Sequence, residues 1–200
     1  MKKLMFVAVA MLVLSTATYA AGPISFGVQA TGANLNVTGL TDVYGFGFGG
    51  GVHLDVSLPL LFSFRLQGDY VTFSPDNAKY AGVVFQNPTG ITIDGGRVNI
   101  ISGNVNTKLS PLPLPIVSPY LTAGIGMSKI DASDLDIKGY NGPALNIPVV
   151  KSSTSFSANL GAGVDLDLIA LKLYLEARYT WIFTEGSTST YIPVSLGVTF

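Results

Sequence analysis

An all-β fold, an eight-stranded antiparallel transmembrane up-and-down β-barrel, is what the sequence predicts, and three observations predict it. Apolar residues recur at every second position over long stretches. Charged residues make up only 12% of the 200 residues while hydrophobic ones make up 48%. The connections between alternating stretches are short and long in turn. Charged side chains normally supply about a quarter of a globular chain, so this one carries too little charge to coat a water-facing surface. No segment offers an apolar run near the ~20 residues that a spanning helix needs, so the hydrophobicity must be spread over strands.

The chain opens with Lys2 and Lys3, an apolar run from Leu4 to Leu14, and a small-residue stretch ending Thr18-Tyr19-Ala20. That order of charged, apolar and small residues predicts a signal peptide over residues 1–20, cleaved after Ala20, with one barrel domain over residues 21–200.

The strands follow in order. Ile24, Phe26, Val28 and Ala30 alternate with Ser25, Gly27, Gln29 and Thr31. Phe46, Phe48, Val52, Leu54, Val56 and Leu58 stand against glycines, His53, Asp55 and Ser57; Phe62, Phe64, Leu66 and Tyr70 stand against Ser63, Arg65, Gln67 and Asp69. The fourth places Ile101, Val105 and Leu109 opposite Asn104, Asn106 and Lys108, and the fifth places Leu121, Ala123, Ile125 and Met127 opposite Tyr120, Thr122, Gly124, Gly126 and Ser128. In the last three, all eighteen positions of one face are apolar or aromatic: even numbers from Phe156 to Leu168, odd from Leu171 to Trp181, even from Ile192 to Phe200. Chance would give that roughly twice in a million.

Pro59-Leu60-Leu61, Ile169-Ala170 and the Pro-rich link Ser110 to Pro119 form one set of connections; loops 74–96 and 129–154, with shorter ones at 38–44 and 182–190, form the other. Short turns on one rim and long loops on the opposite rim are the plan of a membrane barrel whose termini lie on the short-turn, periplasmic side. A soluble, lipocalin-like barrel is the rival, and the composition of the polar face decides against it. That face carries Gly, Ser, Asn and Asp with a few charges of both signs, which suits a crowded lumen, whereas the apolar face carries no Lys, Arg, Asp or Glu. Phe62, Phe64, Tyr70, Tyr179, Trp181 and Phe200 fit interfacial girdles.

Pro119-Tyr120-Leu121-Thr122-Ala123-Gly124-Ile125-Gly126 resembles a strand of the small outer-membrane barrels related to outer membrane protein A, outer membrane protein X and the opacity proteins. Gly103 to Lys108, Gly161 to Asp165, Leu175 to Tyr179 and Leu196 to Phe200 are similar to other strands of that family. The resemblance implies a bacterial outer-membrane location, outer-membrane lipid and the secretion and assembly machinery as partners, and Val194, Leu196, Val198 and Phe200 as the signal that this machinery reads. The long turn at 110–119 departs from the family's pattern.

Nine basic against twelve acidic residues after Ala20 remove the footprint of a nucleic-acid binder. The absence of cysteine excludes disulfides and thiolate chemistry, and a single histidine excludes a multi-histidine metal centre within one chain. Gly45, Gly47 and Gly50 satisfy G-x-G-x-x-G, but the chain continues as strand where a dinucleotide site needs a helix. Asp131, Asp134 and Asp136 lack the spacing of a calcium loop and read as a solvated acidic segment. His53 raises a barrel-embedded lipid hydrolase, yet no serine is singled out as its partner. No catalytic, cofactor or metal residues are therefore expected. Arg65, Asp69, Glu176 and Arg178 all fall on the polar face and predict an interior network that plugs the lumen, with Asp55, Lys108, Asp165, Asp167 and Lys172 nearer the periplasmic rim. A small channel for ions or apolar solutes is the functional alternative. An extracellular ligand would meet loops 74–96 and 129–154.

Overall fold

The structure, a computed structural model, describes residues 23–36, 44–58, 61–76, 79, 92–112, 114, 116–133, 135–138, 152–168, 171–184 and 187–200. The predicted leader, residues 1–20, lies outside them. Among the described residues ten strands form: β1 (Ile24–Asn36), β2 (Gly47–Ser57), β3 (Phe62–Phe73), β4 (Thr92–Gly95), β5 (Val98–Leu109), β6 (Val117–Ala132), β7 (Leu135–Lys138), β8 (Ser153–Asp167), β9 (Lys172–Thr184) and β10 (Ser187–Thr199). Eight of them close a barrel in the order β1-β10-β9-β8-β6-β5-β3-β2, every neighbouring pair antiparallel. This is the predicted architecture.

Its stagger follows from the register. Pairs taken once round the wall from Ser25 run through Asp55, Arg65, Asn106, Gly124, Asn159, Thr180 and Tyr191 to Leu35, ten positions further along the same strand (35 − 25). At ~3.3 Å per residue against eight spacings of ~4.8 Å, that offset tilts the strands by about 40°. Strands of 11 to 16 residues at that tilt are long enough to cross a hydrocarbon core.

Several boundaries differ from the sequence reading. The Pro-rich link is shorter than predicted, because Val117, Ser118 and Pro119 belong to β6 and pair with Leu166, Asp165 and Val164, and the register beside it is regular. Residues 92–95, placed in a loop by sequence, pair as β4 with β7, so segments of the two long loops join in a small sheet of their own. Gly95 and Gly96, with φ of 89° and 68°, turn the chain from β4 into β5, a conformation that favours glycine. The predicted loop at 182–190 is largely strand, since β9 runs to Thr184 and β10 starts at Ser187.

The apolar face points outward. Val52, Leu66, Val105, Leu121, Ile125, Leu160, Leu175 and Leu196 are each more than half exposed. Aromatic residues gather at two heights. Phe62 and Phe64 lie near the short-turn rim, as do Phe26 and Phe200, whose rings are 5.7 Å apart; Tyr70, Tyr179, Trp181, Phe156 and Phe183 lie toward the long-loop rim.

The inner face is polar through its lower two thirds and then changes character. Toward the long-loop rim Ala33, Leu35, Val71, Phe73, Val98, Ile100, Ile130, Ile182 and Tyr191 are all buried. The polar side chains therefore do not fill the lumen over its full height: its outer end holds hydrocarbon. Neighbours such as Tyr70-Val71, Ile100-Ile101 and Ile182-Phe183 break the alternation because both faces are apolar at that height.

Candidate functional site in the lumen

Inward glycines of β8 and β10 make room for the large side chains that fill the barrel. A Cβ on Gly163 would fall on the Tyr120 ring, one on Gly197 on the Tyr174 ring, and one on Gly161 against Arg178. The pairing explains the match: Tyr120 faces Gly163 and Tyr174 faces Gly197 directly across the ladder. Small and large residues thus alternate around an interior barely wide enough for side chains.

Among these groups sits a connected set of charges. Arg65, 1% exposed, donates from Nε to Asp55 Oδ1 at 2.6 Å and from Nη2 to Asp55 Oδ2 at 2.8 Å, a bidentate pair across the β2–β3 ladder. Its Nη1 lies 3.9 Å from Glu176 Oε2, and its guanidinium carbon stands 4.5 Å from the centre of the Tyr174 ring. Glu176 accepts a hydrogen bond from the Tyr120 hydroxyl at 2.9 Å and forms an ion pair with Arg178 Nε at 3.1 Å. Arg178 Nη2 donates to Asp69 Oδ2 at 3.3 Å. The four residues singled out by sequence are therefore one contiguous group, with Arg178 between Asp69 and Glu176 and Arg65 completing the chain.

Two further branches join it. Asp69 accepts hydrogen bonds from Gln67 Nε2 at 3.0 and 3.1 Å and from Gln29 Nε2. Gln29 Oε1 in turn accepts from the Tyr174 hydroxyl, which lies 3.3 Å from His53 Nδ1, while His53 Nε2 is 3.0 Å from Thr199 Oγ1. Toward the short-turn rim, Lys108 Nζ donates to both oxygens of Asp165 at 3.1 and 3.2 Å and stands 3.8 Å above the Tyr120 ring.

Asp55, Lys108 and Asp165, assigned by sequence to the rim, are 7%, 3% and 5% exposed and belong to the buried set; only Lys172 and Asp167, paired at 3.2 Å, are partly open. Sequence parity put every one of these residues on the inner face, but height along the axis needs the stagger, which parity does not carry. It also left Tyr120, Tyr174, Gln29 and Gln67 without a role, though all four lie on the polar face. Among the described residues of this set, three cations (Arg65, Lys108, Arg178) against four anions (Asp55, Asp69, Asp165, Glu176) leave one surplus negative charge, and Lys172 approaches Asp165 at 3.8 Å to offset it. Opposite charges in mutual contact are what a buried set requires, because an isolated ion in low dielectric is costly.

The remaining candidates have plain places. Gly47 and Gly50 lie within β2, as the strand reading of the glycine motif expects. Asp131 pairs with Lys129 at 3.4 Å on the surface, whereas Asp134 lies outside the described residues. Val194 and Leu196 face outward at 44% and 60% exposure; the Phe200 N–H donates to the Phe26 carbonyl at 2.8 Å and joins the chain's end to its first strand. Loops 74–96 and 129–154 fall largely outside the described residues; between them Ser74, Gly95, Arg97, Asn99 and Ser133 line an open hollow at the rim.

Residues 6–200 match the family described as "Outer membrane protein beta-barrel domain". No curated protein matches the chain in sequence. Solved structures similar to it include Neisserial surface protein A, at 15% identity over 89% of this chain and 96% of that one with a TM-score of 0.61. Others are the N-terminal β-barrel domain of Pseudomonas aeruginosa OprF, at 15% identity over 88% and 97% with a TM-score of 0.46, and a major outer membrane protein from Thermus thermophilus, at 16% identity over 90% and 99% with a TM-score of 0.46. At such identities the likeness to the first is one of fold.

If the network holds the barrel together, Arg65→Leu strands the buried Asp55 carboxylate and lowers the unfolding free energy in lipid vesicles by about 3–5 kcal/mol. Lys172→Ala, which removes a partly exposed rim pair, changes it by less than about 1 kcal/mol. Urea titration of the two variants beside the parent checks both values.

Proposed function

We propose a structural, non-conducting role at the cell surface for this chain, which belongs to the outer membrane protein β-barrel family and resides in the bacterial outer membrane. The observation that carries the reading is the filled lumen. From the short-turn rim upward the interior passes through Lys108 with Asp165, the Arg65–Glu176–Arg178 group, and then a layer holding Val71, Phe73, Ile100 and Ile182, each at most 1% exposed. An ion on that path would have to break buried pairs and then enter hydrocarbon, both of which oppose conduction.

A hydrolytic role is disfavoured by the position of His53. Its ring is 4% exposed and faces Tyr174 and Thr199 within the lumen, so a lipid ester outside the wall does not reach it. The barrel serves instead as a rigid anchor, and ligand contact falls to the segments beyond the long-loop rim. Residues 1–20 act as a cleaved leader, and Val194, Leu196, Val198 and Phe200 as the signal read by the assembly machinery. In the bilayer, outer-membrane lipid covers the outward row of Leu66, Val105, Ile125 and Leu160.

Reconstituted into planar bilayers, the folded protein gives no discrete, reproducible current steps; regular openings would overturn the plugged reading in favour of a channel. In cells, the mature chain begins at Ala21 by intact-mass measurement, and removal of Phe200 lowers the amount of folded barrel recovered from the outer membrane while leaving export unaffected.

A further inference from the structure

The short turns are apolar where turns standing in water would be polar. Leu58 to Leu61 joins β2 to β3 as Leu-Pro-Leu-Leu, Ser110 to Ile116 joins β5 to β6 as Ser-Pro-Leu-Pro-Leu-Pro-Ile, and Leu168 to Leu171 joins β8 to β9 as Leu-Ile-Ala-Leu. Ser110 is the only polar side chain in the three sequences, and none is charged. Turns in water draw instead on Gly, Asn, Asp and Ser. Leu58, Leu61, Leu112, Leu114, Ile116 and Leu168 are between 39% and 64% exposed, all at one end of the barrel. An apolar surface of that extent calls for a cover. The charges at the same end, Asp55, Lys108, Asp165, Asp167 and Lys172, are turned to the lumen and paired there.

The height of the wall says what the cover is. Tyr70, Tyr179 and Trp181 join an apolar ring to a polar tip, and such residues mark the level at which hydrocarbon gives way to headgroups. Among the described residues, the outward aromatics near the opposite end are Phe26, Phe62, Phe64 and Phe200, which have no polar tip and mark no such level. From Trp181 down to Leu171 is ten residues (181 − 171) and from Tyr70 down to Leu61 is nine (70 − 61), which at ~3.3 Å each and a tilt of about 40° descend about 25 Å and about 23 Å. The apolar band of a membrane barrel is about 25 Å tall. Counted from the Tyr–Trp girdle, that band reaches down to the turns and does not stop above them.

The backbone of the turns suits the same surroundings, where an unpaired amide is costly. The amides of Leu58, Ser110, Asp167 and Leu168 donate to the carbonyls of Phe62, Leu61, Ile116 and Leu171 at 2.9–3.0 Å. Ser118 Oγ donates to the Leu114 carbonyl at 3.1 Å. Pro59, Pro111, Pro113 and Pro115 bring no N–H that would need a partner.

We propose that the three short turns lie within the periplasmic leaflet, covered by its acyl chains near the headgroups, so that this end of the barrel stops inside the membrane and does not project into the periplasm. The inference concerns the outer surface of the rim and holds whether or not the lumen conducts.

Single cysteines at Leu114→Cys and Leu168→Cys, in two different turns of a chain that has no other cysteine, carry an environment-sensitive fluorophore. Ser133→Cys, exposed at the long-loop rim, is the water-facing reference. Each full chain is folded into phosphatidylcholine vesicles, and its folding is checked by the shift in gel mobility on heating. At both turns the label is expected to emit to the blue of the reference and to be quenched several-fold less by iodide. It is also expected to be quenched by lipids bearing a nitroxide high on the acyl chain, more strongly than by lipids bearing it at the chain end, and equally at all protein-to-lipid ratios. Iodide quenching at either turn equal to that at Ser133 would place the rim in water, free for a periplasmic protein, and overturn the proposal. Lipid quenching that falls as the protein-to-lipid ratio rises would make a second copy of the chain the cover and overturn it equally.

Discussion

A backbone amide inside hydrocarbon has no water to turn to, and the rest of this structure depends on that constraint. Strands can meet it only by pairing on both edges, so the sheet closes: β10 returns to β1, and Phe200 exchanges hydrogen bonds with Phe26 at the join. Closure with eight strands and a ten-residue stagger then fixes an interior too narrow for a water column. Whatever points inward must pack against what points inward from across the barrel.

That narrowness dictates the chemistry of the lumen. The outward residues face lipid and need only be apolar, whereas the inward ones must fit and satisfy each other. Tyr120 fits because Gly163 lies opposite, and Tyr174 because Gly197 does. Arg65 is tolerated at 1% exposure because Asp55 grips it with both oxygens, Glu176 lies nearby and Tyr174 offers a ring face. Above this polar region the interior changes to Val71, Phe73, Ile100 and Ile182, so the two halves of the plug exclude ions for different reasons: one holds charges already paired, the other offers none. Both follow from one geometry, and neither calls for a moving part.

Much of this was legible in the chain, since a period of two assigns each residue to a face with no knowledge of its neighbours. Leu66 and Gln67 end on opposite sides of the wall because they are adjacent, and the same parity put Arg65, Asp69, Glu176 and Arg178 together inside. Height was not legible. Asp55 reads as a rim residue from its place near the end of β2, yet the stagger brings it beside Arg65, deep in the barrel. Parity counted from Asn104 turns Ile100 inward and Ile101 outward, but it could not foresee that the inner face becomes apolar at that height. The join of β4 to β7 was hidden for a third reason: its residues lie within long loops, where alternation is not enforced by lipid.

The central claim is that the apolar flank of every strand meets lipid while the polar flank meets the packed interior. The chain has no cysteine, so single spin labels can be placed without background. The most direct measurement compares a nitroxide at Leu66 with one at Gln67, in protein folded into lipid vesicles, using oxygen and a water-soluble nickel chelate as relaxation agents. The account predicts strong relaxation by oxygen at Leu66, weak relaxation by either agent at Gln67, and exclusion of the chelate from both. Ready access of the chelate to Leu66 would place that face in water and contradict it.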